Sequence, residues 1–126
     1  MTENEISKIL VECAIEVHRT LGGPGLLESV YEEALVWELE QRGLKVGRQI
    51  DFPVPYKGRK LSKHFRIDLM VEEKVLVDTK AVSKYDDIFE TQLLTYLRLT
   101  GLKLGLVINF GQKLVKDGIH GVVNGL

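Results

Sequence analysis

At 126 residues, 44% hydrophobic and 28% charged, the chain can bury one core and is too apolar for disorder, which predicts a single domain over residues 1–126. Its 17 basic and 18 acidic groups nearly cancel to a net charge of −1, yet residues 1–55 carry 5 basic and 10 acidic groups and residues 56–126 carry 12 and 8. The lone Cys13 excludes an intramolecular disulfide, no apolar run approaches the ~18 residues of a membrane span, and the acidic start Met1-Thr2-Glu3-Asn4-Glu5 is unlike a signal peptide, so a reduced, cytoplasmic protein is expected.

Thr2 and Glu5 form a capping-box pattern, and Ile6, Ile9, Leu10, Cys13, Ala14, Val17 and Leu21 follow at helical spacing. Gly22-Gly23-Pro24-Gly25 stops this helix. It lacks the Gly-Lys-Ser/Thr of a P-loop and the spacing of a dinucleotide fingerprint, so it reads as a helix breaker. A second helix follows, with Leu27, Val30, Tyr31, Ala34, Leu35 and Leu39 on one side and Gly43 beyond its end. The period then changes to two. Val46, Ile50, Phe52 and Val54 predict a strand, and Pro53 and Pro55 place it at a sheet edge. Lys57-Gly58-Arg59 reads as a turn, and Leu61, Phe65, Ile67, Leu69 and Val71 alternate along the returning strand. After a turn at Glu72-Glu73-Lys74, residues 75–82 are apolar and β-branched, as expected of a central strand. Residues 87–100 predict a helix with Ile88, Phe89, Leu93, Tyr96 and Leu97 inward and Gly101 closing it. Residues 104–110 (LGLVINF) read as a buried strand, and residues 114–123 as one more. The predicted order is α-α-β-β-β-α-β-β, an α/β fold with a mixed central sheet flanked by helices.

The informative residues are polar groups inside strands that otherwise read as core. Asp68 interrupts Phe65–Val71, and Asp78 and Lys80 interrupt Val75–Val82. With a side-chain period of two, Asp78 and Lys80 share one face, and the turn at 72–74 lets Asp68 lie on the paired strand beside Asp78. An Asp–Lys ion pair that fixes register is the plain explanation of an Asp-x-Lys. Here the second carboxylate leaves an excess negative charge that a divalent cation, Mg²⁺ or Mn²⁺, would neutralise.

These residues resemble the signature of the PD-(D/E)XK nuclease superfamily, in which an Asp on one strand precedes Asp or Glu, any residue, and Lys on the next; Asp68 and Asp78-Thr79-Lys80 match it. Gly25-Leu26-Leu27-Glu28-Ser29-Val30-Tyr31 is similar to the motif that names the GxxExxY proteins, and the stretches around Gln92–Leu97 and Gly105–Gly111 are similar to that family's second half. The resemblance implies a restriction-endonuclease-like core and metal-dependent hydrolysis of phosphodiester bonds in DNA or RNA. It implies that Asp68, Asp78, the Thr79 carbonyl and Glu28 hold the metal, that Lys80 assists the attacking water, and that Gln92 orients a ligand or water. Asp78 stands where many relatives carry Glu, which the signature permits but which shortens its reach.

Plainer explanations stand beside these. Glu28 falls in the first turn of its helix, where the dipole favours an acid in any case. Tyr31 is expected to pack and to hydrogen-bond a site carboxylate; of Gln92 and Tyr96, four apart on one helix face, the first reads as functional and the second as structural. Lys57, Arg59, Lys60, Lys63 and Arg66, with His64, form the densest basic run. It serves equally as a solvated hairpin edge or as a surface that tracks nucleic-acid phosphates. His18, His64 and His120 lack metal-ligand spacing and are expected at the surface, whereas Cys13 is expected in the core. The alternative to an enzyme is a silent nuclease-fold module that binds nucleic acid or a protein partner, with a hydrolase of a small phosphorylated molecule more remote. A homodimer is consistent with the small area one such domain offers a duplex.

Overall fold

A computed structural model describes all 126 residues. The chain runs through α1 (Glu3–Leu21), α2 (Glu28–Gln41), β1 (Val46–Tyr56), β2 (Arg59–Val71), β3 (Val75–Lys80), α3 (Ile88–Thr100), β4 (Leu104–Asn109), a 3₁₀ turn (Val115–Gly118) and β5 (Ile119–Val123). The strands form one sheet in sequence order, antiparallel except for β3 against β4. That single parallel pair requires a crossover, which α3 supplies. This is the α/β fold with a mixed central sheet that the hydrophobic periods predict.

Local chemistry sets the helix ends. In α1 the Thr2 hydroxyl accepts from Glu5 N–H at 3.2 Å and Glu5 Oε1 accepts from Thr2 N–H at 2.9 Å, so the predicted capping box is present. Gly22 ends the helix at φ +88°, a conformation glycine adopts without strain. Ile6, Leu10, Cys13, Ala14 and Val17 are buried against the sheet, as their spacing predicts.

The helices cover both faces of the sheet. α1 and α2 pack through Leu10, Leu35 and Leu39 on Leu69, Val71, Val75, Val77, Leu106 and Ile108. α3 packs through Leu93 and Leu97 on Phe65, Ile67, Leu76, Val107 and Val122. β3 therefore divides as its period requires, Val75, Val77 and Thr79 on one side and Leu76, Asp78 and Lys80 on the other.

β2 does not divide so simply. Phe65, Ile67, Leu69 and Val71 would share one face of a regular strand, yet the first two pack with α3 and the last two with α1 and α2. The change falls at Asp68. There the β1–β2 register passes from Arg48↔Leu69 to Ile50↔Ile67, and Gln49, which lies between, has φ +50°. Beyond Phe65 the hairpin runs clear of the helices, and Leu61, expected inward, is exposed.

Other expectations shift for local reasons. Residues 114–118 do not join the last strand: Val115 turns into the core and the 3₁₀ turn packs on the end of β4, so β5 begins at Ile119. β3 ends at Lys80 and β4 at Asn109 because the Asn109 side chain replaces the sheet pairing. Its Nδ2 donates to Val82 O, and its Oδ1 accepts from Val82 N–H and Gly111 N–H, all at 3.0 Å. Leu27 at the N-cap of α2, Val30 of α2 and Ile88 of α3, expected inward, are exposed because nothing packs on the outer sides of those helices.

The close approach at Asn109 needs glycine. A Cβ on Gly111 would stand 2.2 Å from Val82 O, whereas on Gly121 it would meet only Leu106 Cδ2 at 3.9 Å. Gly111→Ala is therefore expected to cost about 1–3 kcal/mol, and Gly121→Ala less than about 0.5 kcal/mol. Paired urea titrations of the two variants check this; equal midpoints would refute the clamp.

Candidate active site

The site lies where β2 parts from β3. Antiparallel pairing runs from Val71↔Val75 to Leu69↔Val77 and ends. The next residue, Asp68, substitutes its side chain for the ladder: Oδ2 accepts from Thr79 N–H at 3.0 Å and from Thr79 Oγ1 at 3.2 Å. N–H and C=O of one extended residue point to the same side, so the Thr79 carbonyl also faces the opening.

Asp78 and Lys80 flank Thr79 on the α3 side, half-buried, with Lys80 Nζ 3.7 Å from Asp78 Oδ1. At that separation the two attract without a well-formed hydrogen bond, and Nζ also sits 4.6 Å over the Phe89 ring. The Asp78 carboxyl is pushed up to about 7, first by burial and then by its hydrogen bond with Asp68, while Lys80 pulls it down. Glu28 is raised as well, by burial and then by the Asp68 charge, with Lys80 lowering it. Three carboxylates thus share the field of one ammonium group. They do not form a closed cage: no three His, Cys, Asp or Glu side chains converge as a metal-ion ligand set. Instead, Glu28, Ser29, Glu32, Gln49 and Asp68 line an open pocket of about 270 Å³ beside the pair.

The donors present suit a hard divalent cation. Mg²⁺ is typically held by one or two carboxylates and completes its shell with water and substrate phosphate. Asp68, Asp78 and the Thr79 carbonyl offer that set, and Glu28 stands at the edge of it.

Gln92 lies exposed on α3, one turn before Tyr96. Tyr96, expected to be structural, stacks on Phe65 at 4.4 Å and also lies in the field of Asp78, Lys80 and Asp68. The basic run is wholly solvent-facing: Lys57, Arg59, Lys60, Lys63, His64 and Arg66 are all exposed, and His64 pairs with Asp51 at 3.1 Å.

Tyr31 does not reach a site carboxylate. Its hydroxyl donates to Gly23 O at 2.6 Å and accepts from Leu26 N–H at 3.2 Å, so it staples the glycine loop that leads into Glu28. Its ring stacks on Phe110 at 4.7 Å, and Phe110 N–H donates to Lys80 O at 2.8 Å. His18, expected at the surface, is buried with Nε2 3.1 Å from Phe110 O. His120 is half-buried, stacked on Tyr85 at 4.1 Å and 3.8 Å from Glu90. It pairs with Val107, which in turn pairs with Asp78, so a row crosses the sheet from the carboxylate to the imidazole.

The Asn109–Gly111 clamp is not among the expectations from sequence, and the burial of His18 reverses one of them. Asn109 had a signal available, since it is a polar residue in an otherwise apolar strand, as Asp78 is. His18 had only its place near the end of a helix.

The family model of the PD-(D/E)XK nuclease superfamily matches residues 4–122. The chain belongs to that superfamily, and its sheet and helices are consistent with the restriction-endonuclease-like fold. Its nucleases generally use divalent metal ions. No curated protein and no solved structure gives a significant match to the chain. No helix is long and apolar enough to cross a membrane.

The Asp78 environment has a consequence for stability. A carboxyl whose folded-state value lies above its ordinary 3.8 binds its proton more tightly in the native protein. Its stabilising contribution is complete below about pH 4 and is lost as pH rises through 7. Without divalent metal, wild type is expected to lose roughly 2–4 kcal/mol more than Asp78→Asn between pH 4 and 8. Urea midpoints of the two proteins across that range check this, and parallel curves would contradict it.

Proposed function

We propose that the chain is a divalent-metal-dependent nuclease of the GxxExxY group, acting in the cytoplasm and hydrolysing phosphodiester bonds of DNA, or of RNA. The observation that carries this is the Asp68–Asp78 pair at an opened strand edge, with Lys80 beside it and excess negative charge over it. Asp68, Asp78 and the Thr79 carbonyl would hold Mg²⁺ or Mn²⁺, with Glu28 reaching it through water. The bound ion would polarise the scissile phosphate and neutralise charge that develops on its oxygens.

The chain's own groups do the rest. Lys80, held by Asp78 and the Phe89 ring without a short hydrogen bond to either, keeps N–H donors free to orient the attacking water and steady its developing hydroxide. Water gives up a proton to solvent as it adds to phosphorus, the bond from phosphorus to the leaving sugar oxygen breaks, and that oxygen takes up a proton from solvent. Gln92, exposed on α3 one turn before Tyr96, would orient substrate. Lys57, Arg59, Lys60, Lys63 and Arg66 follow the phosphate backbone, whose negative charge they match.

Cleavage of plasmid and single-stranded substrates with Mg²⁺ or Mn²⁺ tests the proposal. Asp78→Ala and Lys80→Ala are each expected to lose about 10²–10⁴-fold in rate. Equal cleavage by these variants would overturn the assignment. No cleavage by folded wild type over a range of substrates would leave the silent nucleic-acid or protein-binding module in its place.

Metal binding has a readout of its own. At pH 8, Mn²⁺ or Mg²⁺ is expected to raise the Tm of wild type by several degrees and leave that of Asp68→Asn/Asp78→Asn unchanged. Thermal melts with and without the ion measure it, and an equal response in both proteins would place the ion elsewhere.

A further inference from the structure

The α1–α2 pair carries an apolar groove of about 460 Å³, reaching from the buried Val17 to the exposed Trp37. Val17 and Leu21 of α1 and Val30, Ala34 and Trp37 of α2 line it, and Glu33 and Glu38 stand in its wall. Trp37, the single tryptophan, is 58% exposed. An exposed indole in a contiguous apolar groove is unusual for a surface with no partner. Of the other acids on these helices, Glu12 pairs with Arg42 and Glu16 with Arg19, so the negative charge at the groove rests on Glu33 and Glu38.

The chain carries a complementary element. Every residue from Pro55 to His64 is exposed, so the distal end of the β1–β2 hairpin stands clear of both helix layers. A two-stranded arm without a packed face has little stability of its own. This arm carries two exposed apolar side chains, Tyr56 and Leu61, among Lys57, Arg59, Lys60 and Lys63. It joins apolar side chains to positive charge where the groove joins apolar side chains to negative charge.

We propose that the hairpin tip of one copy docks in the α1–α2 groove of a second copy. Tyr56 and Leu61 lie against Trp37, and Lys57 and Arg59, which shares their face, meet Glu33 and Glu38. Exchanged reciprocally, the two contacts close a two-fold dimer rather than an open chain. The tip cations are among those proposed to follow nucleic acid, so nucleic acid and the second copy compete for the tip. The test below contains no nucleic acid, and its failure is therefore distinct from failure of the nuclease reading.

Sedimentation velocity over a wide concentration range, with Trp37 emission as a second readout, tests the dimer. Wild type is expected to show a monomer–dimer equilibrium that weakens with salt, and its emission is expected to shift to the blue as dimer forms. Glu33→Lys/Glu38→Lys makes groove and tip both basic, and Lys57→Glu/Arg59→Glu makes both acidic. Each variant alone is expected to associate about tenfold or more weakly. An equimolar mixture is expected to restore the dimer, because both contacts are then complementary. A wild type that stays monomeric throughout, or a dimer insensitive to salt or to both charge reversals, would overturn the proposal.

Discussion

The Asp68 carboxylate does the work of a missing strand. Where β2 turns away from β3, Thr79 would be left with an unpaired N–H in the middle of a sheet, a cost comparable to a lost hydrogen bond. Oδ2 of Asp68 accepts that N–H at 3.0 Å and the hydroxyl of the same residue at 3.2 Å, so the sheet opens without an orphaned donor. The opening is what sets a backbone carbonyl and two carboxylates around one space. Were the antiparallel ladder to continue past Leu69↔Val77, the Thr79 carbonyl would be used up in pairing. The same carboxylate therefore maintains the fold and builds the site, and an Asp68 variant will show both effects at once.

The first half of the chain reaches this site through a short series of contacts. Tyr31 ties down the loop at Gly23 and Leu26 that leads into Glu28, and its ring stacks on Phe110. Phe110 donates its N–H to Lys80 and accepts from His18, while Asn109 holds the chain that leaves β3. Glu28 and Lys80, far apart in sequence, are in this way fixed against the same aromatic pair. The glycine, glutamate and tyrosine of the first motif thus separate into parts: the tyrosine holds the loop and the glutamate faces the carboxylates. Catalytic constellations demand such support, since small displacements of the reacting groups cost orders of magnitude in rate.

Much of this was legible from residue spacing. Helix positions, the edge strand marked by prolines, the central strand and the shared face of Asp78 and Lys80 all follow from periods of 3.6 and two. Three things did not. The change of face at Asp68 escaped because period-two reasoning assumes an unbroken strand, and nothing near Gln49 announces a left-handed residue. The bond made by the Tyr31 hydroxyl escaped because a buried phenol needs some partner, and sequence does not say whether that partner is a carboxylate or a loop carbonyl. The burial of His18 escaped because its partner, the Phe110 carbonyl, lies 92 residues away.

Charge arrangement explains how a nearly neutral chain can serve a polyanion. Glu28, Asp68 and Asp78 lie near a single Lys80, so in the proposed function a cation at the centre would offset their repulsion of phosphate. The hairpin cations lie beyond the hydrogen-bonded part of the site and are exposed to solvent, where a charge is felt over about a Debye length, ~10 Å at ordinary salt. In that role they would draw nucleic acid to the surface without cancelling three carboxylates at the opened edge. In the proposed function, productive binding and cation binding are therefore coupled, because an ion at Asp68 and Asp78 removes the repulsion that its absence leaves. The raised Asp78 carboxyl belongs to the same picture: burial first, and then the neighbouring Asp68, favour its protonated form, and a bound cation would favour the charged one.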